Sequence, residues 1–327
     1  MCFEIPKDGK ALKLTHPKLD DNIKLNMGKS NRKYDRWSTV MKASWPLQVF
    51  NKYNDELNEL LWSNRAVVKK TYSNLEISSA KWTDLVSSHL IFDLPRGREV
   101  TKTLKEWSDT YNKFNNWTNL SALLVLTSNL ETYIATVASL AFESDPGLLF
   151  NSSKSIDGIS LIKRGGKRNQ FHDDIITSLT KGSWNARISA YTKTFGLAPA
   201  QLIKNVGKLE KIRIQRNKVG HAFGRDIDGS RNHEVKDIIQ MLKLSEKQFK
   251  NIQYTIIDTV KAIDQHLLNN HIGEYQLTAF YHRMFTELRK DAHQSVRAIV
   301  LKKKLGQFGD VSGKEFCKGL VKYYESL

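Results

Sequence analysis

Arg216, Asn217 and His221 stand within one short stretch, "RNKVGHAFGR" (Arg216 to Arg225), with Lys218 between them and Arg225 just past Gly224. A permanent cation beside a group that changes protonation near neutrality suits phosphodiester cleavage. The guanidinium stabilises charge on the phosphate, and the imidazole moves protons. On a straight helix Arg216 and His221 would be about 140° apart around the axis. Either the helix distorts at Gly220, or the two side chains line a cleft closed by another element or another subunit. Gly220, without a side chain, leaves room for close approach of backbone or phosphate. The competing reading is a basic helix end that merely complements the helix dipole.

A second residue stands out by isolation. Glu131 is the only charged side chain between Lys113 and Glu143. Ser128, Glu131, Ala135 and Ala138 share a face of small residues where another helix can approach, and a carboxylate buried there needs a partner. A salt bridge to some unrelated base, or a solvent-facing Glu131, is the alternative. Other templates fail. The nine histidines form no H-E-x-x-H or comparable set, and His266 and His271, five apart, fall off one helical face. There is no phosphate loop of the G-x-x-x-x-G-K-[ST] type, and "RGGKRN" follows no strand. No metal site and no cofactor is expected.

The elements that must position these residues are helical, and the class is all-α. Residues 1–45 read as a polar arm, loose and basic at "MGKSNRKYDR". Periodic apolar positions then mark helices: Val49, Tyr53, Leu57, Leu60, Leu61, Asn64 and Val68 in the first, and Val100 to Phe114 in a second. A third, the most apolar, runs from about Thr118 to Phe142. A basic insert follows near 148–169. Shorter helices lie near 173–179 and 185–195, with Trp184, Tyr191 and Phe195 as core. Pro199 opens the motif helix, with Leu202, Val206 and Leu209 on one side, and Gly224 ends it. Ser245 and Gln248 form a capping box before the stripe Phe249, Ile252, Ile256, Val260, Ile263 and Leu267. The expected divisions are 1–45, 46–117, 118–270 and a basic helical appendage, 271–327.

Composition narrows the partner. The 327 residues carry a formal net charge of +17, with 40% hydrophobic and 10% aromatic residues. The pI is near 9.6. Such a chain can bury a core, and its charge calls for a polyanion, nucleic acid first. Two cysteines, Cys2 and Cys317, build no disulfide framework. With no secretory peptide at the start and apolar runs such as "ALLVL" too short to span a bilayer, a cytoplasmic setting is expected.

Arg216, the polar Asn217 and His221 after four intervening residues match the signature of the HEPN domains, a helical nucleotide-binding family. The context of "LTSNLETYIATVASL", "WNARISAYTKTFG" and a long amphipathic helix after the motif also resembles bacterial HEPN proteins of toxin–antitoxin and phage-defence systems. The resemblance covers roughly Thr118 to Leu268. It implies a HEPN-like antiparallel helical bundle and a metal-independent endoribonuclease, active as a homodimer with a composite cleft. Arg216 would hold the scissile phosphate, and His221 would serve attack by the ribose 2′-OH, leaving 2′,3′-cyclic phosphate and 5′-OH ends. Asn217 would orient the histidine or bond the phosphate, and Glu131 would position Arg216 or His221. Arg213, Lys218 and Arg225 would contact RNA phosphates, with "KRGGKR" at Lys163 to Arg168 and "LKKK" at Leu301 to Lys304 as further candidates for the RNA track. An antitoxin or defence-system protein is a candidate partner. One departure is Phe223, where many toxin members have tyrosine. A non-catalytic RNA-binding or scaffold member of the same fold is the rival expectation.

Overall fold

A computed structural model describes residues 33–39, 41–91, 102–166, 173–226, 229, 231, 237–285, 292–307 and 312–327. The described residues form helices and connecting turns with no strand, only an isolated bridge between Leu85 and Thr103. The helices are α1 (Trp45–Ile77), α2 (Leu104–Ser144), α3 (Gly158–Lys163), α4 (Asp173–Thr180), α5 (Trp184–Phe195), α6 (Ala200–Gly220), α7 (Glu246–Leu267), α8 (Tyr275–Phe285), α9 (Gln294–Gln307) and α10 (Lys314–Ser326). α2 is the axis, and α1, α3, α4, α6 and α7 all pack on it.

α2 is one helix of 41 residues where two were expected, so the expected division at 117/118 falls inside it. Thr103 and Glu106 close its start in a reciprocal capping box. Asn115, Asn116 and Thr118 have poor helix propensity, yet the helix runs through them. Asn116 donates to the Leu242 carbonyl and accepts from the Leu244 N–H, and Asn119 donates to the Leu244 carbonyl. These asparagines strap the segment before α7 onto α2. Read singly, the apolar runs are too short for a bilayer. Joined in α2 they give an 18-residue window of mean hydropathy 1.3, long and apolar enough to cross one, and half of that window is buried in the fold. Leu120, Leu123, Leu126 and Val137 are fully buried there.

The α7 stripe from Phe249 to Leu267 is buried as the periodicity requires, and Ser245 and Gln248 cap it. In α1 the buried face is Leu47, Phe50, Asn54, Leu57 and Leu61, while Val49, Tyr53 and Leu60 are exposed. One core runs from Leu47 to Tyr324. The segment after 271 is therefore part of that core and not an appendage: Tyr281, Leu301 and Leu320 are fully buried. Between α7 and α8 a π-helical turn spans Leu268–Ile272. Its wider winding brings the rings of His266 and His271 to 6.2 Å, although five residues lie off one face of an α-helix.

The described part of the expected loose arm is also anchored; residues 1–32, with Cys2, lie outside the described residues. Arg36 is 3% exposed and bonds Asp157, the carbonyls of Ile272 and Ser144, and the Ser144 hydroxyl. Ser44 caps α1 and is held by the buried Asp264 of α7. In the basic insert, Lys163 donates to the carbonyls of Tyr324 and Glu325, so it caps the end of α10. Residues 167–169 of that insert, with Lys167 and Arg168, lie outside the described residues.

Candidate active site

Leu202, Leu209, Ile212 and Val219 bury one side of α6 and fix the rotation of its polar face. The helix stops at Gly220. His221 is its C-cap, with φ −105° and ψ 97°, and its N–H still reaches the Asn217 carbonyl. Ala222, Phe223 and Gly224 then all take left-handed φ values, of 62°, 55° and 69°. For the two non-glycine residues this costs about 1–2 kcal/mol each. The helix thus breaks at the motif, one of the two geometries its spacing allows. Gly224 is the glycine the turn requires, because a Cβ there would come within 2.5 Å of Leu242. Around Gly220 a Cβ would meet open space.

Contacts outside the turn hold it. The Leu242 N–H donates to the Phe223 carbonyl. Arg225 donates from Nε to the Ile239 carbonyl and from Nη1 to the Ala222 carbonyl, so this expected RNA contact braces the backbone. The Phe223 ring stacks on Trp117 of α2 at 5.8 Å.

Glu131 does meet Arg216, but its nearer partner is one that the sequence did not mark. One Glu131 carboxylate oxygen lies 3.2 Å from Arg187 and the other 3.8 Å from Arg216. Arg187 is buried, lies over the Trp184 ring at 4.9 Å and donates to the Gly182 carbonyl. Burial lowers its pKa from the usual arginine value, and Glu131 works against that shift. Next to it Glu210 accepts from Arg213 at 2.6 Å and from the Trp184 N–H. These two hydrogen bonds hold its carboxyl below the usual glutamate range. Arg213, another expected RNA contact, is thereby engaged by a carboxylate. An isolated carboxylate on an apolar helix implied a buried cation; nothing in "WNARISAYTKTFG" said which.

Arg216 is the least tied of the three arginines. Its Nη1 reaches Asn217 Oδ1 at 3.4 Å, its Glu131 contact is long, and its Nε is buried without a partner among the described residues. The hollow it shares with Thr127, Glu131, Arg187 and Arg213 measures about 20 Å³, room for one water and not for a phosphate. An anionic ligand must therefore approach Arg216 from solvent. The Asn217 side chain bonds Arg216, not the imidazole. The His221 side chain is exposed and has no hydrogen-bond partner among the described residues, and neither has the exposed Lys218. Within one chain the structure brings Arg216, Asn217 and Glu131 together and leaves His221 apart, at the rim.

A larger cavity of about 370 Å³ between α1 and α2, bordered by Trp45, Tyr53, Tyr133 and Leu140, contains no motif residue. No group of three or more His, Cys, Asp or Glu side chains that could hold a metal ion occurs among the described residues. Comparison with protein-family models, with curated proteins and with solved structures finds no match to this chain.

Proposed function

We propose that this chain is a metal-independent endoribonuclease of the HEPN type, acting in the cytoplasm as a toxin or antiviral effector. The observation that carries the reading is the strained turn of residues 222–224. It ends α6 at the motif and leaves His221 exposed and unpaired, while Glu131 and Asn217 hold Arg216 one turn earlier. Strain kept in a surface turn by contacts from two other segments and from Arg225 is a mark of functional geometry. Arg216 would take the scissile phosphate on its solvent side and stabilise the charge that builds up on it. His221 would accept the proton of the attacking 2′-OH, and an imidazolium would return a proton to the leaving 5′ oxygen. Since Arg216 and His221 make no bond within one chain, the reading includes a homodimer in which each cleft is completed by the facing motif.

The test is incubation of the purified protein with total cellular RNA in EDTA, followed by analysis of the product ends. Cyclic 2′,3′-phosphate and 5′-OH ends are expected. Strict dependence on Mg²⁺, or 5′-phosphate products, would sink the mechanism. Binding without any cleavage would leave the non-catalytic reading, which the separation of His221 from Arg216 favours if the chain acts alone.

A further inference from the structure

The Phe223 ring is the end of a row. It stacks on Trp117 at 5.8 Å and 25°, Trp117 on Phe114 at 5.9 Å and 20°, and Phe114 meets Tyr111 at 6.1 Å. Tyr111 and Trp107 continue the row down α2, where Tyr72 of α1 covers them and bonds Ser108. Trp107 and Tyr72 pack on a small second core. Phe114 and Trp117 do not, for Phe114 is 47% and Trp117 41% exposed. Folding leaves these two large aromatic rings nearly half exposed, in a row that ends at Phe223, two residues past the exposed His221, although α2 has a buried side that could have taken them.

Three exposed lysines lie on or next to the elements that carry these rings. Lys113 lies one turn before Trp117 on the same side of α2, and it is the only charged residue of that helix between Asp109 and Glu131. Lys243 sits between the two leucines strapped to Asn116 and Asn119. Lys218 precedes the motif histidine by less than one turn. All three are exposed and have no acidic partner among the described residues. An apolar protein segment would satisfy the rings and leave the lysines without counter-charge. A duplex would meet the lysines but hide its base faces. Unstacked bases joined by phosphates satisfy both.

We propose that Phe114, Trp117 and Phe223 form a stacking platform for the bases of single-stranded RNA, with Lys113, Lys218 and Lys243 along its phosphates. The platform leads the strand to His221, so the substrate is unpaired RNA with little demand on sequence beside the cut, because every base has a face to stack. This rests on the ribonuclease reading for its substrate and is tested apart from it, by binding.

The experiment uses the full chain carrying His221→Ala, so that RNA stays intact, in EDTA and at one fixed salt concentration. Fluorescence anisotropy compares an end-labelled single strand of about ten nucleotides with a duplex of the same length. Adding Phe114→Leu and Trp117→Leu keeps the side chains apolar, though smaller, and removes the rings. Single-strand affinity should fall about tenfold or more, and duplex affinity by less than about threefold. An equal loss on both, no loss on the single strand, or a change of oligomeric state caused by the leucines would overturn the platform. Should the leucine pair fail to fold, Lys113→Glu with Lys243→Glu, on exposed unpaired side chains, must weaken the single strand, and unchanged affinity there overturns it equally. Cleavage is assayed separately on the wild type. A binding contrast without cleavage retains the platform and removes the ribonuclease, and cleavage without the contrast removes the platform alone.

Discussion

Arg36 and Arg216 are both arginines set against carboxylates, and they are used differently. Arg36 is almost fully buried, and Asp157, Ser144 and Ile272 take up its donors at 2.8–3.1 Å. Trp37 and Tyr275 lie on its faces at 4.2 and 5.4 Å. Arg216 is 37% exposed; its contacts are 3.4 and 3.8 Å long and one nitrogen is unused. A guanidinium whose donors are occupied ties segments together and has nothing left to offer a ligand. One held loosely by a shared carboxylate is oriented and still available. The difference separates a clasp from a candidate site without recourse to the motif.

The sharpest test of that separation is His221→Ala. It should lower the cleavage rate about 10²–10⁴-fold while RNA affinity and the urea midpoint stay near wild type. Cleavage at the wild-type rate would reduce the motif to a basic helix end. Next in size is the pair Arg36→Met and Arg216→Met, read by urea unfolding and by RNA binding. The first takes the buried cation from Asp157 and a donor from each of two buried carbonyls, and should cost about 3–5 kcal/mol of stability with affinity unchanged once folded. The second should cost under about 1 kcal/mol and weaken RNA binding and cleavage together. Similar stability losses for both would erase the comparison.

Glu131→Gln lies between the two extremes, since Glu131 serves the buried Arg187 and the available Arg216 at once. We expect a stability loss of about 1–3 kcal/mol from Arg187 and reduced cleavage from Arg216. Lost stability with unchanged kinetics would make Glu131 part of the scaffold only.

The smallest effect concerns pH and belongs to the clasp end. Burial, together with the neighbouring His271, lowers the pKa of His266, whose ring meets the Tyr191 hydroxyl at 2.8 Å. A histidine depressed in the folded state contributes stability that is full above its unfolded value, about 6.5, and is lost as pH falls from there through the folded value. For Asp145 burial alone would raise the pKa. Hydrogen bonds from His271, Ser153 and the Lys154 N–H outweigh burial and leave it low. Its contribution is full above about 3.9 and disappears as pH falls further, through the folded value. The urea midpoint should therefore decline in two stages on acidification, and His266→Gln should flatten the first. An unaltered first stage would assign it to another group.

What could be read from the sequence was local. The capping box and stripe of α7, and Leu202 and Leu209 on the buried side of α6, each depend on spacing within one helix, and each is found where spacing puts it. What escaped depends on partners far along the chain. Arg36 sits in a polar stretch that looks like an arm until Asp157 and Ile272 arrive from more than a hundred residues away. Asn116 and Asn119 lower helix propensity locally and are retained for the segment they bind. Arg187 is an ordinary arginine in an amphipathic dodecamer, and only the carboxylate opposite distinguishes it.

Trp117, Glu131 and Ser144 are stations on a single unbroken helix, and that makes α2 a phasing element. The first meets Phe223, the second Arg216 and the third Arg36. One residue inserted between Trp117 and Glu131 would turn these two stations about 100° relative to each other and shift them by about 1.5 Å. The chain could then keep the aromatic contact or the carboxylate contact, not both. Length variation that keeps all three contacts is therefore confined to segments outside residues 117–144.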